Sequence, residues 1–113
     1  MIDSSEIAAV SHRLGMQNDI TNGSEVAKIL ILWKDNIYLQ GITVHEQFIT
    51  CSLGNSDSPD AYLTFVYAKC DYLLRRSLWQ HLYSFSTSTT IPWLIGGDFN
   101  SVLFSDERLL IYT

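Results

Sequence analysis

Between Lys28 and Ala68 the sequence is a succession of short segments rich in Ile, Leu, Val and Thr, and from Asp71 the apolar residues change to a helical period. Lys28–Lys34, Ile37–Val44 and Phe48–Leu53 are separated only by a few polar residues. Connections that short join antiparallel strands, so the spacing predicts a meander. Asp35-Asn36 supplies a two-residue turn, and Gly54 to Asp60, with Pro59, a longer loop. In the fourth segment, Ala61–Ala68, Leu63, Phe65 and Tyr67 alternate with Tyr62, Thr64 and Val66. Both faces are at least partly apolar, which predicts a central strand covered on each side.

Residues 71–85 place Leu74, Leu78, Leu82 and Phe85 on one helical stripe and Arg76, Gln80 and Ser84 opposite it. Asp71 is placed to cap this helix and to pair with Arg75 one turn on. Ser84 to Thr90 is rich in Ser and Thr and reads as a loop; Pro92 then opens a strand, Trp93-Leu94-Ile95, which Gly96-Gly97 ends. Near the start, residues 3–15 predict a short amphipathic helix with Asp3 as cap, Ile7, Val10 and Leu14 on one side and Gly15 at the C-terminal cap. Gln17 to Glu25 is polar and contains the turn signal Asn22-Gly23. No repeat or interior linker divides the chain, which predicts one mixed α/β unit.

Composition bounds the function. The chain has 113 residues, of which 47% are hydrophobic and 17% charged, the balance of one folded domain rather than of a disordered segment. Twelve acids against 7 bases give a net charge of -5, which argues against wrapping nucleic acid by charge alone. Cys51 and Cys70 lack a Cys-x-x-Cys spacing, and His12, His45 and His81 are scattered. They form neither a zinc pattern nor a disulfide framework, and read as buried thiols and surface or half-buried imidazoles. The acidic start lacks the apolar core of a secretory signal, and the longest apolar run, Ile29 to Trp33, is too short to span a bilayer. A soluble, intracellular protein with no membrane partner is expected.

Gly-Gly-Asp-Phe-Asn at 96–100 follows an apolar strand directly. If the backbone stays extended there, Asp98 and Asn100 project to the same side at a strand's C-terminal end. A carboxylate that orients and deprotonates water, beside an amide that holds a phosphate oxygen, suits phosphodiester hydrolysis, with a divalent metal supplying further charge stabilisation. The same residues are equally ordinary turn chemistry, since Asx side chains bond their own backbone.

The segments Leu63-Thr-Phe-Val-Tyr-Ala-Lys-Cys-Asp71, Leu74-Arg-Arg-Ser-Leu-Trp79 and Trp93-Leu-Ile-Gly-Gly-Asp-Phe-Asn-Ser-Val-Leu103 together resemble the endonuclease/exonuclease/phosphatase superfamily, most of all the endonuclease domain of plant non-LTR (LINE-type) retrotransposons. The resemblance runs from about Leu14-Gly15 to Glu107; Arg108 to Thr113 drift from it. It implies an α/β sandwich, mostly antiparallel with a long helix packed on the sheet, of which residues 1–113 form a single partial domain. It further implies that Asp98 activates the attacking water, that Asn100 holds the phosphate or that water, and that Tyr67 hydrogen-bonds the phosphate of a DNA backbone, with Mg2+ as cofactor. Each position also has a plainer reading: Tyr67 as a core aromatic, Asn100 as a turn residue, Asp98 as a strand cap.

The family's Mg2+-binding Glu has no counterpart before the long helix, Glu6 being inside a helical pattern, and its terminal Ser-Asp-His motif is not found after Asn100. The expectation is therefore a truncated piece of the nuclease domain, inactive alone, with no metal ligand assigned. A non-enzymatic remnant or interaction module that self-associates through open sheet edges is the alternative, and a phosphatase of the same superfamily another. Arg76, with Arg75 and Lys69, is a weak candidate for phosphate contact, against a solvated helix face in which Asp71 partners Arg75. Trp33, Trp79 and Trp93 occupy apolar-patterned positions and read as core rather than as base-stacking platforms.

Overall fold

Phe48, Ile49, Thr50, Cys51 and Ser52 follow one another along a strand and are all buried, so layers must cover both faces of the sheet that carries them. The computed structural model, which describes residues 4–23 and 28–100, supplies those layers. Its elements are α1 (Ser4–Leu14), β1 (Asn18–Thr21), β2 (Leu30–Trp33), β3 (Leu39–His45), β4 (Phe48–Asn55), β5 (Ser58–Tyr67), α2 (Tyr72–Ser88) and β6 (Trp93–Asp98). β3, β4, β5 and β6 form one sheet in that order, antiparallel except for the parallel pair β5–β6. The fold is mixed α/β, mostly antiparallel, with the long helix on one face. Among the described residues no helix is long and apolar enough to cross a membrane.

One face of the large sheet packs on α2: Phe48, Val66, Ala68 and Ile95 meet Leu78 and Leu82, and Trp79 and Trp93 pack beside them. Phe99 is fully buried there with its ring stacked on Trp79 at 5.7 Å between centroids. Burying a side chain such as Phe99 or Leu78 stabilises the fold by about 1.5–3 kcal/mol. The other face packs on the two-stranded sheet β1–β2, where Ile29 and Ile31 cover Ile49 and Cys51, with Ile20, Trp33, Leu39 and Phe65 around them. The three tryptophans thus pack against the core, as their patterning predicts.

Four features depart from the sequence expectation. First, β2 does not begin the meander; it pairs with β1, in the polar stretch for which only a turn at Asn22-Gly23 is expected. Polar side chains hold this arrangement: Asn18 Nδ2 donates to Asp35 Oδ1 at 2.9 Å, Asp35 N donates to Gln17 Oε1 at 3.0 Å, and Asn22 Oδ1 accepts from Lys28 N and Ile29 N. The Asp35-Asn36 turn forms, closed by Ile37 N to Lys34 O at 3.0 Å, but it joins strands of different sheets. Second, α2 runs on to Ser88, and Ser86, Thr87 and Ser88 donate their hydroxyls to carbonyls three residues back, inside the helix and not in a competing turn. Third, Leu74 is exposed rather than core, and so is Cys70; Cys51 alone is a buried thiol, which burial pushes up to about 11. Fourth, β6 continues through Gly96 and Gly97 to Asp98.

The capping expectations fare differently. Gly15 adopts φ 69 and donates to His12 O, while Met16 N donates to Ser11 O, the paired bonds of a left-handed helix cap. Asp71 caps α2 through Leu73 N at 2.8 Å. Arg75 does not pair with that carboxylate; its Nη1 donates to the carbonyls of Lys69 and Cys70. Asp3 and residues 101–113 lie outside the described residues, and with them the remainder of the third resembling segment.

Candidate functional site

β5 and β6 run parallel with Tyr67 registered opposite Asp98 at their C-terminal ends. Alternation along β5 sends Thr64 and Val66 into the α2 core and Leu63, Phe65 and Tyr67 to the other face. Along β6, Ile95 faces α2 and Leu94, Gly96 and Asp98 the reverse. Tyr67 and Asp98 therefore stand side by side on one face of the sheet, and both are exposed there. A phenol donor and a carboxylate acceptor are brought together by strand register alone.

Phe99, turned the opposite way into the core, anchors the end of β6. The chain then leaves the extended conformation: Asn100 has φ 47, in the left-handed region. The condition for Asp98 and Asn100 to share a side, an extended backbone, is not met. Asn100 Nδ2 instead donates to Ala68 O at 2.6 Å, and Asn100 N donates to Asp98 Oδ1 at 2.9 Å. Ala68 N in turn donates to Asp98 O at 2.8 Å. Asn100 thus ties the end of β6 to the end of β5, and one carboxylate oxygen of Asp98 is engaged in an Asx turn. Arg76 is exposed on α2, the layer on the opposite face of the sheet, and is not brought to Tyr67 and Asp98.

Gln47, to which no sequence motif points, is fully buried in the β3–β4 turn. Its carbonyl accepts from Tyr67 N, its Oε1 from Lys69 N, and its Nε2 donates to Leu74 O, all at 2.9 Å. It therefore fixes the Tyr67 end of β5 from the side opposite to Asn100. The only sequence signal was a Gln at a tight turn that ordinarily takes Gly, Asn or Asp. Asn22, expected only as part of a turn, bonds the same hairpin end from the small sheet through Nδ2 to the carbonyls of His45 and Glu46.

His45 and His81 form a half-exposed ring cluster with Phe48: the His45 ring is stacked on Phe48 at 4.7 Å and lies 4.7 Å from His81. Burial first, and the neighbouring His81 second, hold His45 below the ordinary histidine range, with Glu46 opposing them. Lys69 lies 3.9 Å from Glu46.

Magnesium, which the sequence resemblance implies, requires several oxygen donors in near-octahedral array. Asp98 is the carboxylate at this site and one of its oxygens is already engaged. Among the described residues no three His, Cys, Asp or Glu side chains are grouped to hold a metal ion. The donors that the described residues place here do not by themselves make up a magnesium ligand set.

No protein-family model matches the chain, and a search of curated proteins finds no match. Among solved structures, it is similar to the human Nocturnin catalytic domain determined with a bound sulfate anion, with 16% identity and a TM-score of 0.44. The match covers 83% of this chain and 46% of the Nocturnin chain, so the chain spans less than half of that domain. At that identity and TM-score the likeness carries no argument about function.

Proposed function

We propose that the chain carries the phosphate-facing part of a phosphodiester-hydrolase site of endonuclease type and is inactive by itself. The observation that supports this most directly is the register that sets Tyr67 opposite Asp98 at the C-terminal ends of two parallel strands. A phenol O–H can donate to a non-bridging phosphate oxygen, and the second oxygen of Asp98 can accept a proton from an attacking water. Asn100 has its Nδ2 committed to Ala68 but keeps Oδ1, an acceptor that can orient that water. A carboxylate beside a phosphate needs a cation between them, and this chain's described residues do not hold one. The ligands that the nuclease resemblance would add, a Glu ahead of the long helix and a terminal Ser-Asp-His, are not found in this sequence. DNA as the substrate and a retroelement origin rest on the three sequence segments that resemble LINE-type endonucleases.

A plasmid-nicking assay with Mg2+ tests the reading. The chain is expected to nick no faster than its Asp98→Ala variant, because losing charge stabilisation at the transition state costs several kcal/mol of barrier. Strong nicking that Asp98→Ala abolishes would contradict inactivity and show a complete site.

A second reading, an interaction module, is favoured by a specific observation. Tyr67 and Leu94, 45% and 47% exposed, lie on the face that the small sheet covers only in part, and the outer edge of β6 has no strand partner among the described residues. Open edges with apolar neighbours promote association.

A further inference from the structure

Every kind of polar group that Gln47 owns is engaged, and the partners are not random neighbours. Side chain and carbonyl hold Tyr67 N, Lys69 N and Leu74 O, the end of β5 and the start of α2. Its remaining group, the backbone N–H, donates to Nδ1 of His45 at 3.1 Å. Between Tyr67 and Lys69, Ala68 is bonded to Asp98 and Asn100. The tip of β5 is thus held from β6 on one side and by Gln47 on the other.

The bond to His45 fixes a tautomer. Nδ1 must present a lone pair to the Gln47 N–H, so the neutral ring carries its proton on Nε2. His81 is set the other way: its Nδ1 lies 2.7 Å from the Ser77 carbonyl, which only accepts, so Nδ1 carries the proton and Nε2 the lone pair. His81 can gain a proton on Nε2 and keep its bond to Ser77. His45 can gain one only on Nδ1, where it would face the Gln47 N–H donor to donor.

We propose that Gln47 is the positioning residue of the Tyr67–Asp98 site and that His45, while its imidazole is neutral, holds Gln47 in place. The proposal rests on the reading of Tyr67 and Asp98 as the site. Its consequence is a pH-dependent site: protonating His45 removes the acceptor for Gln47 N–H, loosens the β3–β4 turn, and releases the grip on Tyr67 and Lys69. Among the described residues, the titratable and charged groups around His45 are His81 on α2, Glu46 beside it in the turn, and Lys69, which pairs with Glu46 from the β5–α2 connection. The sign follows from the direction of the shift. A histidine held below its ordinary value in the fold takes up its proton more readily when unfolded. Its stabilising contribution is complete above the ordinary histidine value of 6.5 and is lost as pH falls through the lower, folded value.

Amide NMR of the whole chain, titrated from about pH 8 to about pH 5 across the histidine range, tests this. The amides of Gln47, Tyr67 and Lys69 are expected to shift together, with the midpoint of the His45 ring and below the ordinary histidine value. Protection of Tyr67 and Lys69 from hydrogen exchange, corrected for the intrinsic rate, should fall about tenfold across that step, the loss of one buried hydrogen bond. His45→Phe keeps a ring on Phe48 and should abolish the common titration. Tyr67 and Lys69 amides that stay still while the His45 ring titrates in the unsubstituted chain would overturn the proposal, as would a common titration that survives in a folded His45→Phe chain. Dinucleotide binding at neutral pH reports on the site reading separately, because the titration of the clamp is read without any ligand.

Discussion

At Gly97 the backbone has φ 138, and a Cβ added there would overlap the carbonyl and amide of Val66 on the neighbouring strand. Its neighbour Gly96 has open space where a Cβ would go. The two glycines look alike in the sequence and do different work: Gly97 lets β6 approach β5 closely enough to register Asp98 with Tyr67, whereas Gly96 has no such constraint. Gly97→Ala is expected to destabilise the protein by roughly 2–4 kcal/mol, and Gly96→Ala to change stability by no more than about 0.5 kcal/mol. Chemical denaturation of the two variants checks this, and equal losses would contradict it. The same scale shows why part of the site could be read from sequence. Alternation, a local rule, puts Tyr67 on the face of Leu63 and Phe65; its role in a site is implied by the family resemblance alone, and its place opposite Asp98 comes from the β5–β6 register. Asn100 does not follow that rule, because a left-handed residue just past a strand end breaks the alternation, and its amide goes to Ala68. Gln47 could not be found at all, since its partners Tyr67, Lys69 and Leu74 are neighbours only in the folded chain.

Among the elements, β3 to β5 and α2 carry strong periodicity and could be anticipated, while β1 could not. Asn18-Asp19-Ile20-Thr21 has one apolar residue, Ile20, which packs with the inter-sheet core. Gly41 on β3 lies against the tip of the Ile20 side chain, the part of it that can most easily shift. The strand thus relies on the side-chain bonds of Gln17, Asn18 and Asn22, and not on its own β-propensity. The C-terminal turn of α2 teaches the converse. Its Ser/Thr composition reads as loop, yet the helix continues there and its hydroxyls bond carbonyls one turn back. In both cases side-chain hydrogen bonds accompany structure that backbone propensity leaves open.

For the molecule as a whole, α2, the four-stranded sheet and the small sheet stack as layers, and the small sheet leaves the β5–β6 end uncovered. That opening exposes Tyr67 and Asp98 and also bares Leu94 beside the edge of β6 that has no strand partner among the described residues. One feature serves both functional readings, so they must be separated in solution. If the opening is an association surface, sedimentation velocity will show a weight-average mass that rises with concentration, and Leu94→Lys will restore the 12.9 kDa monomer. A single monomeric species at all concentrations would rule that surface out.

The central claim, that Tyr67 and Asp98 face a phosphodiester, is tested most directly by titrating the deoxydinucleotide d(TpT) into the chain with Mg2+ in solution and following backbone amides and the Tyr67 ring. The account predicts weak, saturable shifts centred on Tyr67, Ala68, Asp98 and Asn100. Tyr67→Phe should weaken binding about fivefold to tenfold, the loss of one hydrogen bond to a charged group. Shifts located elsewhere, or binding that Tyr67→Phe leaves untouched, would contradict it.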